Sequence, residues 1–116
     1  MKRLARSVTN AARGIVFTVK NERNFQVEIG ATVFVALCMA WFPLTHTENT
    51  ILILAITGVL TVELINTAME RVMDILKPRV HPYARVVKDI MAGAVLAVSL
   101  GALLIGLIIF LPYFFK

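Results

Sequence analysis

The sequence holds a single cysteine, Cys38, so neither an intrachain disulfide nor a cysteine-based metal cluster is open to it. Charge is scarce as well. Of 116 residues, 16% are charged and 59% are hydrophobic. A soluble domain averages about 25% charged and about 45–50% apolar residues, and so short a chain could not bury the excess. The composition therefore excludes an ordinary soluble domain and a disordered chain, and a mean hydropathy of +0.81 points to an integral membrane protein. Residues 1–20 lack the apolar core of a cleaved signal peptide. Neither a Walker A motif nor a kinase-type glycine-rich loop is present, and there is no repeat or low-complexity segment. The two histidines, His46 and His81, are too far apart for one metal site. His46 reads as a loop residue and His81 as part of a proline-bounded turn over 78–82.

What charge there is falls in clusters. Lys2, Arg3, Arg6, Arg13, Lys20 and Arg23 lie in the first 23 residues; Arg71, Lys77, Arg79, Arg85 and Lys88 lie in 71–88; only Lys116 is elsewhere. Residues 29–44, 50–62 and 90–115 carry no charge. A spanning helix needs about 20 mostly apolar residues. The third run suffices by itself and the first with its ends included. The second, at about 20 Å of helix, must continue through Glu63 and Glu70, which brings ionisable groups to the membrane boundary. The expected architecture is one all-α membrane domain over 1–116: an N-terminal amphipathic surface helix with a bend (1–24) and three transmembrane helices at 27–45, 50–76 and 88–114. Lys and Arg gather at the N-terminus and in 77–88, so that side is expected to be cytoplasmic. The net charge of +5 then fits anionic lipid as partner rather than nucleic acid.

Within residues 3–20, Leu4, Val8, Ala11, Ile15 and Val19 recur every three or four positions, with Arg6, Arg13 and Lys20 on the other side and Phe17 breaking the pattern. Such a helix suits the membrane interface, although packing on the protein's own cytoplasmic end gives the same pattern. Trp41 and Tyr113 sit where an aromatic belt belongs, and Cys38 reads as a small lipid- or core-facing residue. Gly93, Ala97 and Gly101, then Ala102 and Gly106, form ridges that let helices approach closely. Three spans leave little interior for polar groups, so a homo-oligomer is expected.

The informative residues are acids. Glu63, Glu70 and Asp74 fall within about 40° of one another on a helix, flanked by Asn66 and Thr67. Like charges in one stripe repel, and each is costly near lipid; cations among them relieve this, and Mg²⁺ usually binds one or two carboxylates together with substrate phosphates. Arg71 and Lys77 read as solvated charges where the helix leaves the membrane, whereas Glu63, within apolar sequence, is a functional-site candidate. Asn66 serves either the site or an interhelical hydrogen bond. Lys88-Asp89 is either a charged flank or, through Lys88, a phosphate contact.

The run Glu63-Leu64-Ile65-Asn66-Thr67-Ala68-Met69-Glu70-Arg71-Val72-Met73-Asp74 resembles the signature of the prokaryotic diacylglycerol kinase and undecaprenol kinase family, E-x-x-N-[ST]-A-[IM]-E-x-x-x-D. Asn21-Glu22-Arg23-Asn24-Phe25 upstream, and His81-Pro82 and Lys88-Asp89 downstream, match as well. The resemblance implies a homotrimer with active sites between protomers and ATP-dependent phosphorylation of a membrane-lipid hydroxyl, with Mg²⁺ as cofactor. It implies that Glu63 is the general base and Glu22 and Glu70 hold the metal. Asn66 and Asp74 would complete the site, and Lys88 and Asp89 would contact the nucleotide. Arg3 and His81 would lie near ATP, and Arg13 would join Glu63 at the lipid. Asn10 is a departure, standing where some diacylglycerol kinases carry an aromatic residue in the nucleotide pocket. The segment from Glu22 to Phe25 and Phe110-Leu111-Pro112 look more like the undecaprenol branch. Two readings from other classes compete: a small oligomeric carrier that binds a cation or proton at Glu63, and a non-catalytic accessory subunit. Glu28 has no assignment.

Overall fold

The computed structural model describes residues 1–115, apart from the side chains of 77–81. Two helices, α1 (Lys2–Asn21) and α2 (Arg23–Trp41), precede a helical stretch assigned over His46–Phe114. A straight helix of that length would measure about 100 Å, yet the longest dimension of the molecule is 57 Å, so the stretch folds back on itself. Its two arms are α3 (His46–Leu76) and α4 (Pro82–Phe114). Lys88 meets Asp74, Gly58 would meet Val98 through an added Cβ, and Tyr113 meets Glu48. The arms therefore run antiparallel. Contacts of Glu22 with Arg71 and of Phe42 with Phe110 set α2 antiparallel to α3 and parallel to α4.

The helix ends have local causes. Glu22 alone, in extended conformation (φ −116°, ψ 112°), separates α1 from α2, a sharper bend than the five-residue polar run suggests. The Gln26 amide staples it by donating to the Val19 carbonyl at 2.8 Å. Helix α2 stops at Trp41 because Pro43 forces its predecessor Phe42 into extended backbone (φ −87°, ψ 146°). Helix α3 begins at His46, so this histidine is not a loop residue. The cause is a capping box: the Glu48 amide donates to Thr45 Oγ1 at 3.1 Å, and the Thr45 amide donates to Glu48 Oε1 at 3.0 Å. Residues 82–87, expected in a connection, belong to the helical arm α4.

α2, α3 and α4 are each long and apolar enough to cross a membrane. Few side chains are buried: Phe25, Leu52, Val59, Met73, Ala84 and Ile109 make the apolar core among the described residues. Large apolar side chains point outward instead, Ile108 at 72% exposure, as suits a bundle whose solvent is lipid. Hydroxyls turn back onto their own helices, Thr32 to the Glu28 carbonyl at 2.8 Å and Thr67 to the Glu63 carbonyl at 3.0 Å, which satisfies them without water. A Cβ added at Gly93, Gly101 or Gly106 would meet nothing within 4 Å. Open space thus lies beside Gly93 and Gly101, whereas Ala102 and Gly106 line the cavity between α2, α3 and α4, and Gly58, which belongs to no ridge, marks the close passage of α3 by α4.

Candidate functional site

The polar residues gather where the C-terminal end of α1, the start of α2 and the second half of α3 meet. The helical period places Glu63, Asn66 and Glu70 on one side of α3, and the antiparallel register of α2 brings Glu22 and Glu28 toward that side. Glu63 is only 2% exposed, and its Oε2 is buried without a hydrogen-bond partner. Buried polar atoms are almost always paired, so this orphan oxygen is the strongest mark of a site. Asn66, also buried, interacts with the Glu63 carboxyl, on which Glu28, Glu70 and Glu22 act electrostatically. Asn66 Nδ2 donates a long bond, 3.4 Å, to Glu70 Oε1.

Two cations join the acids. Arg71 Nη2 donates to Glu22 Oε1 at 2.7 Å, and its guanidinium lies 5.3 Å from the centroid of the Phe17 ring, within cation–π range. Arg71 is therefore not a merely solvated charge. Beyond Glu70, Lys88 Nζ donates to Asp74 Oδ1 at 3.0 Å, linking α4 to α3. The structure thus brings together Glu22, Glu63, Asn66 and Glu70, with Asp74 and Lys88 paired alongside. Arg3 and Arg13 are exposed on α1, and Asp89 is exposed on α4; no hydrogen bond or ion pair ties them to the cluster among the described residues. The side chain of His81 lies outside the described residues, as does that of Lys77.

Two residues lie outside the site that the sequence outlines. Glu28 has no assignment from sequence, although it heads a charge-free run six residues after Glu22. Arg71 reads from sequence as a solvated charge where the helix leaves the membrane, because its partner stands 49 residues away. Glu28 also lines a cavity of about 380 Å³ between α2, α3 and α4, with Thr32, Cys38, Leu52, Ser99 and Phe110 among its walls. Ser99 Oγ is buried there without a hydrogen-bond partner.

As a donor set, the cluster offers carboxylate oxygens. No three His, Cys, Asp or Glu side chains converge to hold a metal ion among the described residues. Carboxylate oxygens suit a hard divalent cation, which takes one or two of them together with phosphate oxygens.

The pattern of the family described as prokaryotic diacylglycerol kinase matches residues 9–110. An undecaprenol kinase of Bacillus subtilis (strain 168) is 39% identical over 112 residues, covering 97% of this chain and 91% of that protein. A diacylglycerol kinase of Synechocystis sp. (strain ATCC 27184 / PCC 6803 / Kazusa) is 31% identical over 100 residues, covering 85% of this chain and 57% of that longer protein. With three apolar helices and a buried acidic site, the chain is a multi-pass membrane protein that belongs to the prokaryotic diacylglycerol kinase family, and it is a lipid kinase.

Proposed function

We propose that the protein transfers the γ-phosphoryl group of ATP to the hydroxyl of a membrane lipid, undecaprenol before diacylglycerol, at the cytoplasmic face of the membrane. The observation that carries this is Glu63: buried, with one oxygen unpartnered, among carboxylates at one end of a lipid-spanning bundle. A carboxylate so placed accepts the proton of a lipid hydroxyl. The hydroxyl oxygen then bonds to the γ-phosphorus, the bond from that phosphorus to the β,γ-bridging oxygen breaks, and ADP leaves. Phosphoryl transfer needs little beyond positioning and charge stabilisation.

Glu22 and Glu70 would hold Mg²⁺, which when bound offsets the charge of the phosphates. Asn66 orients Glu63 and Glu70. Asp74 and Lys88 complete the nucleotide side, with Asp89, Arg3 and His81 at its edge. Arg13 joins Glu63 at the lipid. The cavity from Glu28 to Phe110 gives an apolar chain room beside the site. Helix α1 lies on the membrane surface: Leu4 and Val8, 63% and 61% exposed, need an apolar medium, and the basic residues opposite them suit anionic headgroups. The chain forms a homotrimer with its N-terminus in the cytoplasm, its sites completed between protomers.

The preference for undecaprenol rests on the 39% identity with a protein of that specificity over nearly the whole chain. The carrier and accessory-subunit readings have no support in the family or in these relatives. The test is phosphorylation by the purified protein in mixed micelles, with radiolabelled ATP, Mg²⁺ and either undecaprenol or diacylglycerol. Labelled undecaprenyl phosphate at the higher rate is expected. Faster labelling of diacylglycerol would reverse the preference, and no labelled lipid from either would defeat the proposal for both.

A further inference from the structure

Three parts of the molecule meet at Arg71. It follows Glu70 on α3, its guanidinium pairs with Glu22 at 2.7 Å, and it lies over Phe17 of α1. Glu22 is also the one extended residue between α1 and α2, so the position of its carboxylate depends on how that junction is held. The local bonds there, Asn21 Nδ2 to the Phe17 carbonyl and Gln26 Nε2 to the Val19 carbonyl, both 2.8 Å, stay within α1 and α2. They set the bend and do not dock it. Among the described residues, Arg71 makes the one side-chain hydrogen bond from the junction to α3.

We propose that Arg71 is a positioning residue for the divalent cation: it fixes Glu22 through Oε1 and docks the junction on α3, leaving Glu22 Oε2 for the metal beside Glu70. The proposal rests on reading Glu22 and Glu70 as the metal carboxylates. An exposed ion pair adds little stability by itself, so the value of this one lies in placement. Outer partners that orient ligating carboxylates change metal affinity about 10–100-fold when lost. Arginine suits the task because its planar fork bonds a carboxylate and lies flat on an aromatic ring, which lysine does not reproduce.

The test uses Arg71→Met and Arg71→Lys beside Glu22→Gln, with two readouts. The first is hydrogen–deuterium exchange of residues 17–26 in the metal-free, nucleotide-free protein. The second is the Mg²⁺ concentration for half-maximal transfer, compared with kcat at saturating Mg²⁺. Arg71→Met is expected to speed exchange at the junction several-fold while leaving α4 unchanged. It should raise the Mg²⁺ requirement about 10-fold with kcat within about twofold of wild type. Arg71→Lys should fall between the two. Unchanged junction exchange in Arg71→Met overturns the proposal. So does an unchanged Mg²⁺ requirement in that variant while Glu22→Gln raises it. If Glu22→Gln leaves the requirement unchanged, the metal reading of Glu22 fails and takes the proposal with it, an outcome distinct from failure at Arg71 alone.

Discussion

Glu63 differs from its neighbouring acids in its surroundings. Glu70 is half-buried and receives a bond from Asn66, and Asp74 is exposed and paired with Lys88. Glu63 has one oxygen that is buried with no hydrogen-bond partner among the described residues. Glu63→Gln retains shape and removes the base. Transfer is expected to fall about 10²–10⁴-fold while ATP binding, read by equilibrium titration, stays within about twofold of wild type. Wild-type turnover in this variant would remove Glu63 from the reaction. The grouping of Glu63, Asn66 and Glu70 is legible in sequence because one helical period governs all three. Glu28 and Arg71 escape that reading because their partners lie on another helix, and no local period specifies which residue of α2 stands opposite which residue of α3.

Among the elements, the start of α3 is the best defined. Thr45 and Glu48 cap each other's backbone amides, and Tyr113 of α4 donates to Glu48 Oε1 at 2.6 Å. Phe42 adds ring contacts to Phe110, Tyr113 and Phe114, the last at 5.0 Å between centroids. One small cluster thus closes the end of the bundle opposite the site. Thr45→Ala removes one arm of the cap and is expected to cost about 1 kcal/mol, seen as a fall of a few degrees in the unfolding temperature in detergent. Transfer at low temperature should be unchanged, since the site is at the other end; an unaltered midpoint would show the cap to be dispensable. The helices themselves were legible from charge-free runs. Their ends were less so, because hydropathy marks what lipid tolerates, whereas a helix starts and stops at a capping box, a proline or one extended residue.

At the scale of the whole molecule, the single chain leaves much of its apolar surface uncovered and open space beside Gly93 and Gly101. Lipid suits the first, and in the proposed homotrimer a neighbouring copy would cover the second. Native mass spectrometry in mild detergent is expected to give a species of three 12.9 kDa chains. A fully active monomer would overturn the shared-site arrangement. Membrane residence follows from composition, and the three spans from the placing of the charge-free runs. The number of copies does not, because a ridge of glycine and alanine serves any close helix contact.

The break at Glu22 has a mechanical consequence. Helices on either side of it are stiff rods, and α1 buries only Thr18, at its C-terminal end. α1 is therefore a lever about 30 Å long, with Glu22 at its fulcrum and Arg3 near its far tip. A turn of about 10° at that one residue would sweep the tip through about 5 Å. If Glu22 holds the metal as proposed, the ligand is also the joint of this arm, and loading the site is expected to set the direction in which α1 points.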